Sequence, residues 1–157
     1  MKMINNFRWV ICLVAILTLT SCSWEELPVY DEAEISAVQF RYRWPSTDYI
    51  DDITGEPLIL EVGLTTNASI DSETGTINVV INVPAAQSYF TQAVRDGISL
   101  SNLCCQVTIS TASKIAPTDN HKTLGIPDDW SSPHQFVVTA ANGTKKNWTI
   151  NVTSLNK

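Results

Sequence analysis

The chain has 157 residues, with 10 Lys and Arg against 16 Asp and Glu, a formal charge of −6 and 44% hydrophobic residues. That length suits one domain with a core of its own. An acidic chain with no basic patch is repelled by nucleic acid and by anionic lipid headgroups, so nucleic acid is set aside as a partner.

In chain order, the first element is a leader. Lys2 and Arg8 give a positive start, and Trp9 to Leu19 is an apolar run broken only by Thr18. Crossing a bilayer as a helix takes about 20 apolar residues, so this run reads as the hydrophobic part of a signal peptide. Leu19-Thr20-Ser21-Cys22 then reads as a lipobox, with cleavage before Cys22 and lipid on that cysteine. The alternative is an ordinary secretory leader in which Cys22 stands by coincidence. Acyl chains contribute about 0.8 kcal/mol per buried methylene, so several of them anchor the protein to a membrane through its N-terminus. The expected domains are a signal peptide over 1–21, a lipidated acidic tether over 22–34 and one folded domain over 35–157. The mature chain has 157 − 21 = 136 residues, and losing Lys2 and Arg8 leaves 8 basic against 16 acidic groups, a charge of −8.

Alternation begins at Val38, Phe40, Tyr42 and Trp44, with Gln39, Arg41 and Arg43 opposite, which predicts a half-buried strand. Residues 45–57 are polar and turn-like. Leu58, Leu60, Val62 and Leu64 make a second strand, and Ile77, Val79, Ile81 and Val83 a third that Pro84 stops. Residues 87–95 suit one or two helical turns, with Tyr89, Phe90 and Val94 on one side and Gly97 at the end. In the strand 103–110 the predicted inward set is Leu103, Cys105, Val107 and Ile109, with Cys104 outward. Residues 111–133 are loop-rich. The chain closes with strands 135–140 and 147–153, joined through Asn142-Gly143, a pair that favours a type I′ turn. About six short strands with almost no helix predict an all-β fold, a single antiparallel β-sandwich. A closed barrel is the competing architecture.

The segment Phe136-Val-Val-Thr-Ala-Ala-Asn-Gly-Thr-Lys-Lys-Asn-Trp-Thr-Ile-Asn-Val152 resembles the terminal hairpin of Ig-like domains in Bacteroidetes surface lipoproteins, a largely uncharacterised group. Asn142 replaces the group's usual Asp and Trp148 its usual Tyr. Ile70-Asp71 with Thr76–Pro84 resembles its strand pattern, Thr111–Pro117 stands where the group often carries a turn, and the loop 118–133 is longer than usual. The resemblance covers about 35–153 and implies an Ig-like sandwich. It also makes a polysaccharide-uptake context plausible and, through Glu25 and Glu26, an outward-facing place on the outer membrane. Attachment facing the periplasm is the alternative. A fold of this kind does not fix an activity.

Candidate chemistry is sparse. His121 and His134 fall in predicted loops. Asp48, Asp51 and Asp52, and again Asp128 and Asp129, are hard oxygen ligands without the spacing of a calcium loop. Cys104-Cys105 could form a strained vicinal disulfide, but Cys105 reads as a small core side chain. No nucleophile elbow or phosphate loop is present, so no catalytic residue, metal or cofactor is assigned. Asn67, Asn142, Asn147 and Asn151 begin glycosylation-type triplets, which read here as ordinary strand chemistry. Trp44, Tyr49 and Trp130 fall at strand ends or in loops, where exposed rings would stack on a sugar and buried ones would plug the sandwich. The expected function is a non-enzymatic, lipid-anchored module that binds or assembles with other surface proteins. A glycan-binding accessory lipoprotein is the second reading and a hydrolase the third.

Overall fold

The computed structural model describes residues 29–118 and 124–157; the lipobox with Cys22, the acids Glu25 and Glu26, and His121 lie outside them. The strands are β1 (Ile35–Ile50), β2 (Pro57–Asp71), β3 (Thr76–Asn82), β4 (Leu103–Ile109), β5 (Lys114–Pro117), β6 (Pro127–Asp128), β7 (His134–Thr139) and β8 (Lys145–Asn156), with one short helix α1 (Gln92–Asp96). They form a single eight-stranded sheet in the order β5-β7-β8-β3-β2-β1-β4-β6.

The sheet curls because β2 changes partner halfway along. Its first part pairs with β1, with Phe40 opposite Leu64 and Trp44 opposite Leu60. Its second part pairs with β3, with Thr65 opposite Asn82 and Ile70 opposite Ile77. At the handover the Phe40 N–H donates to Thr66 Oγ1 at 3.1 Å, and that hydroxyl donates to the Leu64 carbonyl at 3.1 Å. A side chain therefore supplies the acceptor that a strand no longer provides.

Alternation decides which side chains fill the space inside the curl. Val38, Phe40 and Trp44 from β1, Ile77, Val79 and Ile81 from β3, Phe136 and Val138 from β7, and Trp148 and Ile150 from β8 share one core. Trp148 and Trp130 are placed by their indole N–H groups, which donate to the carbonyls of Ala33 at 3.0 Å and Leu103 at 3.1 Å.

Several expectations are corrected. The sheet is mixed, because β3 runs parallel to β8, with Ile77 opposite Ile150 and Val79 opposite Val152. Parallel pairing needs a long crossover, and residues 83–144 supply it. The loop-rich stretch contains β5 and β6, which pair with β7 and β4. Pro45 does not end β1; it lies opposite Ile59 in a two-stranded ribbon running on to Ile50. Pairing with β4 ends at Arg41, so Pro45 is on an edge, where a missing N–H is tolerated. The Asn142-Gly143 turn is not type I′. Gly143 has φ +88°, while Ser88 is the one non-glycine with positive φ among the described residues. Gly143 N–H donates to the Ala140 carbonyl and Ala140 N–H to the Thr144 carbonyl, a type I turn followed by a left-handed glycine.

Both cysteines of the pair are free and buried. Cys104 faces away from the main core, as alternation requires, yet it is covered because β6 pairs over it and Arg43 lies beside it. Burial raises the pKa of both thiols. His134 is no loop residue: it opens β7, is fully buried, and stacks on Trp130 at 4.0 Å between ring centroids. Part of the expected tether also rests on the body. Asn142 N–H donates to the Tyr30 carbonyl at 3.2 Å, Ser113 Oγ to the Glu32 carbonyl at 2.6 Å, and Lys146 pairs with Glu34.

Gly75 turns β2 into β3 with φ +66°, and a Cβ there would stand 2.2 Å from the Asn147 carbonyl oxygen. Its own carbonyl accepts from Thr149 N–H at 2.8 Å, tying the turn to β8. Gly75→Ala combines a left-handed backbone with a backbone clash and is expected to lower the unfolding free energy by about 1–3 kcal/mol. Urea denaturation checks this; an unchanged midpoint would mean that the turn and β8 are not so closely apposed.

Candidate functional site

The N-terminal segment meets the body beside the β7–β8 hairpin, through Tyr30, Ala33 and Glu34. From there β1 runs sixteen residues to Ile50. At about 3.3 Å per residue this is roughly 50 Å of chain. The ribbon formed by the end of β1 and the start of β2 is therefore displayed far along the chain from where residues 30–34 pack on the body.

The ribbon carries an unusual surface. Its tip is closed by Asp51, whose Oδ1 accepts from Ile53 N–H at 2.9 Å and Thr54 N–H at 2.8 Å, while Gly55 N–H returns to the Asp51 carbonyl. These bonds, the one from Thr54 first, hold the Asp51 carboxyl below its usual range. The turn lifts Ile53 into solvent at 95% exposure, and Ile50, Leu58 and Ile59 are exposed along the ribbon. Leu58 thus leaves the inward set expected for β2, because the ribbon extends past the core.

Beside the ribbon is a cleft of about 120 Å³, lined among others by Trp44, Ser46, Tyr49, Leu60, Tyr89 and Val94. Trp44 forms its floor. It is 8% exposed, stacked on Tyr42 with centroids 5.8 Å apart and tilted against Phe90 at the same distance. Ser46 is buried, and its Oγ accepts from Asp48 N–H at 3.1 Å and Tyr49 N–H at 2.9 Å, which fixes the bend presenting Tyr49. Tyr89 comes from a tight turn in which Gln87 and Phe90 exchange both backbone hydrogen bonds, at 2.9 and 2.7 Å. Ser88 in that turn has φ +41°, a strained value for a residue with a Cβ. Here the structure departs from the expected helical stretch. Helix α1 starts only after Thr91, whose side chain accepts from Val94 N–H; Phe90 is buried and Tyr89 is 56% exposed.

The three aromatics singled out in the sequence do not share one patch. Trp44 and Tyr49 line the cleft together. Trp130 is elsewhere, 3% exposed, edge-on to Phe40 at 4.9 Å and flat against His134. Its place is taken at the cleft by Tyr89, which points away from the buried Phe90 rather than sharing a side with it.

The charged groups form local clamps. Arg43 Nε donates to Glu61 Oε2 at 2.6 Å, Arg41 bonds the other oxygen of the same carboxylate, and Arg43 also reaches the Gly125 carbonyl at 3.0 Å. Asp128 and Asp129 cap their own turn, accepting from the N–H groups of Asp129 and Ser131. No group of three or more His, Cys, Asp or Glu side chains among the described residues is arranged to hold a metal ion. Nor is any helix among them long and apolar enough to cross a membrane.

Fold and site together define an all-β protein built on one curled mixed sheet, with an aromatic cleft and a ribbon that exposes Ile50, Ile53, Leu58 and Ile59 at one end. The chain belongs to the DUF5018-related family, whose profile matches residues 35–151. It is similar to a crystal structure described as a "putative secreted protein" of Bacteroides fragilis, at 45% identity and a TM-score of 0.74, over 83% of this chain and all of that one. A second similar structure, described as a "putative glycoside hydrolase" of Bacteroides thetaiotaomicron, shares 24% identity at a TM-score of 0.45, over 83% of this chain and 27% of that one. No curated protein matches.

Glu61 is held below its ordinary value of 4.5, first by the hydrogen bond from Arg43 and next by that from Arg41. A carboxylate with a lowered folded-state pKa contributes stability that is full above its unfolded value and lost as pH falls through the lowered one. Glu61→Gln should therefore destabilise the protein at about pH 6, and the gap from the wild type should shrink on acidification toward about pH 3. Thermal melts at the two pH values check this; a gap that widens in acid would refute it.

Proposed function

We propose that this protein is a non-enzymatic, lipid-anchored module of the cell envelope that docks onto another surface protein through its ribbon and the adjoining cleft. The carrying observation is where the exposed apolar side chains lie. Of the nine large hydrophobic residues exposed among those described, Tyr49, Ile50, Ile53, Leu58 and Ile59 are on the ribbon and Tyr89 is at its side. Such a concentration costs solubility unless it is covered, and it marks contact surfaces. A partner made of protein suits it, because apolar area with tyrosines at the margin is what buried interface centres are made of.

The placement supports the same reading. An anchor at Cys22 would hold the protein by the end where residues 29–34 pack, and the ribbon would point away from the membrane. The similar Bacteroides fragilis protein, described as secreted, supports an extracytoplasmic place, and Glu25 with Glu26 supports the outward face of the outer membrane. We read the curled sheet as a variant of the Ig-like sandwich, its two halves joined through β2.

Two experiments test this. Cys22→Ala is expected to move the protein from the membrane pellet to the soluble fraction; continued pelleting would end the lipid-anchor reading. A photoreactive residue placed at Ile59 in cells should give one discrete crosslinked adduct, which Ile53→Asp abolishes while leaving the melting temperature within a few degrees, as for a surface substitution. An absence of adducts, or an adduct indifferent to Ile53→Asp, would refute docking at the ribbon.

A further inference from the structure

The outer face of the β2–β3–β8 part of the sheet carries a second feature that the ribbon does not explain. No charged residue occurs in 62–70, 75–84 or 147–156, which include the facing portions of these three strands. The outward positions are amides and hydroxyls around Val80, and the one carboxylate, Asp71 at the end of β2, accepts from the N–H groups of Glu73 and Thr74. Asn78 lies opposite Asn151, and Asn82 opposite Asn156. Asn151 Nδ2 donates to Asn78 Oδ1 at 3.2 Å, and Asn156 Nδ2 to Asn82 Oδ1 at 2.9 Å. Asn67 and Ser69 are exposed on β2, and Ser69 is opposite Asn78. A shallow groove of about 550 Å³ runs here, lined by Asn67, Ser69, Asn78, Val80 and Thr153 among others.

Thr153 owes its position to a bulge. Val79 pairs with Val152 but Val80 with Ser154, so Thr153 is the extra residue in β8. Its hydroxyl donates to the Val79 carbonyl at 3.0 Å, leaving the oxygen lone pairs over the groove. Bulges re-aim side chains in this way next to functional surfaces.

We propose that this face binds a neutral polysaccharide chain. Each Asn–Asn pair uses one donor and one acceptor between its members. It keeps an amide NH₂ and a carbonyl oxygen to offer outward, and exchanging O for N within a pair leaves the same surplus. A ligand that matches must supply donors and acceptors together and carry no charge. Sugar hydroxyls do both. An ionic ligand would find no countercharge here, and an apolar one would strip the amides of water without replacing their hydrogen bonds. This surface is separate from the ribbon and stands or falls independently of docking there.

The test is native gel electrophoresis of the 23–157 protein in gels containing laminarin, xyloglucan, galactomannan, arabinoxylan or dextran, with polygalacturonate and chondroitin sulfate as anionic comparisons. Retardation by at least one neutral polymer is expected. The double variant Asn78→Ala with Asn151→Ala should weaken it about tenfold or more, since at least two hydrogen bonds are lost. Asn67→Lys, at an exposed position where folding is not at stake, should do the same. Ile53→Asp and Tyr89→Ala should leave it unchanged. Absence of retardation by every neutral polymer, retardation by anionic polymers only, or retardation lost with Tyr89→Ala and kept in the Asn variants would each overturn the proposal.

Discussion

Everything in this molecule depends on β2 serving two partners. A strand fully paired with β1 along its length would extend a flat sheet and leave one face of the apolar residues in water. By leaving β1 at Leu64 and joining β3 from Thr65, β2 turns the sheet back on itself. The curl lets Phe40 and Leu103 from one part share a core with Phe136, Trp148 and Ile150 from the other. Apolar area removed from water stabilises at about 25 cal/mol per Å², and side chains of this size dominate that gain. The Thr66 hydroxyl at the junction keeps the parting of the strands from leaving a buried N–H without an acceptor.

The same partition produces the two surfaces. Once β2 has turned to β3, its beginning and the end of β1 are left as a two-stranded ribbon with no further strand beside it. A ribbon alone cannot bury its apolar residues, so Ile50, Ile53, Leu58 and Ile59 remain in water. The other half of β2 lies over the core with β3 and β8, and its outward positions are free to be polar. Between Thr65 and Ser69 they are amides and hydroxyls, with Val80 beside them and Asp71 only at the strand's end, which separates this face chemically from the ribbon.

The aromatic residues divide by their polar atoms and by their neighbours. Trp130 and Trp148 each bring an indole N–H to a backbone carbonyl inside the protein, so full burial leaves no donor unpaired. Tyr49 and Tyr89 sit at the cleft rim, held by a serine-capped bend and by the strained turn at Ser88. The left-handed backbone of Ser88 is what carries the chain from the exposed Tyr89 into the buried Phe90. The buried histidine beside Trp130 belongs to the core by the same logic of stacking and hydrogen bonding, with Nε2 at 2.6 Å from the Asp129 carbonyl.

Strand identity was legible in the residues wherever one face is buried, because a period of two leaves its mark on composition. The inward sets of β1, β3, β7 and β8 were all readable in this way, as was Gly143 as the hairpin's turning point. Of the cleft, Trp44 and Tyr49 were visible as aromatics at a strand end. Tyr89 was hidden, because a short segment that suits a helix and a tight turn equally well is settled by what packs on Phe90. β5 and β6 were invisible, being too short to carry a period. The parallel pairing of β3 with β8, the burial of Cys104 and His134, and the distance between Trp130 and the other two rings follow from which strands meet. Alternation tells each strand which side faces inward, but not which neighbour it will have. That choice depends on long-range closure and packing, and here the tertiary structure made it at the point where β2 leaves β1.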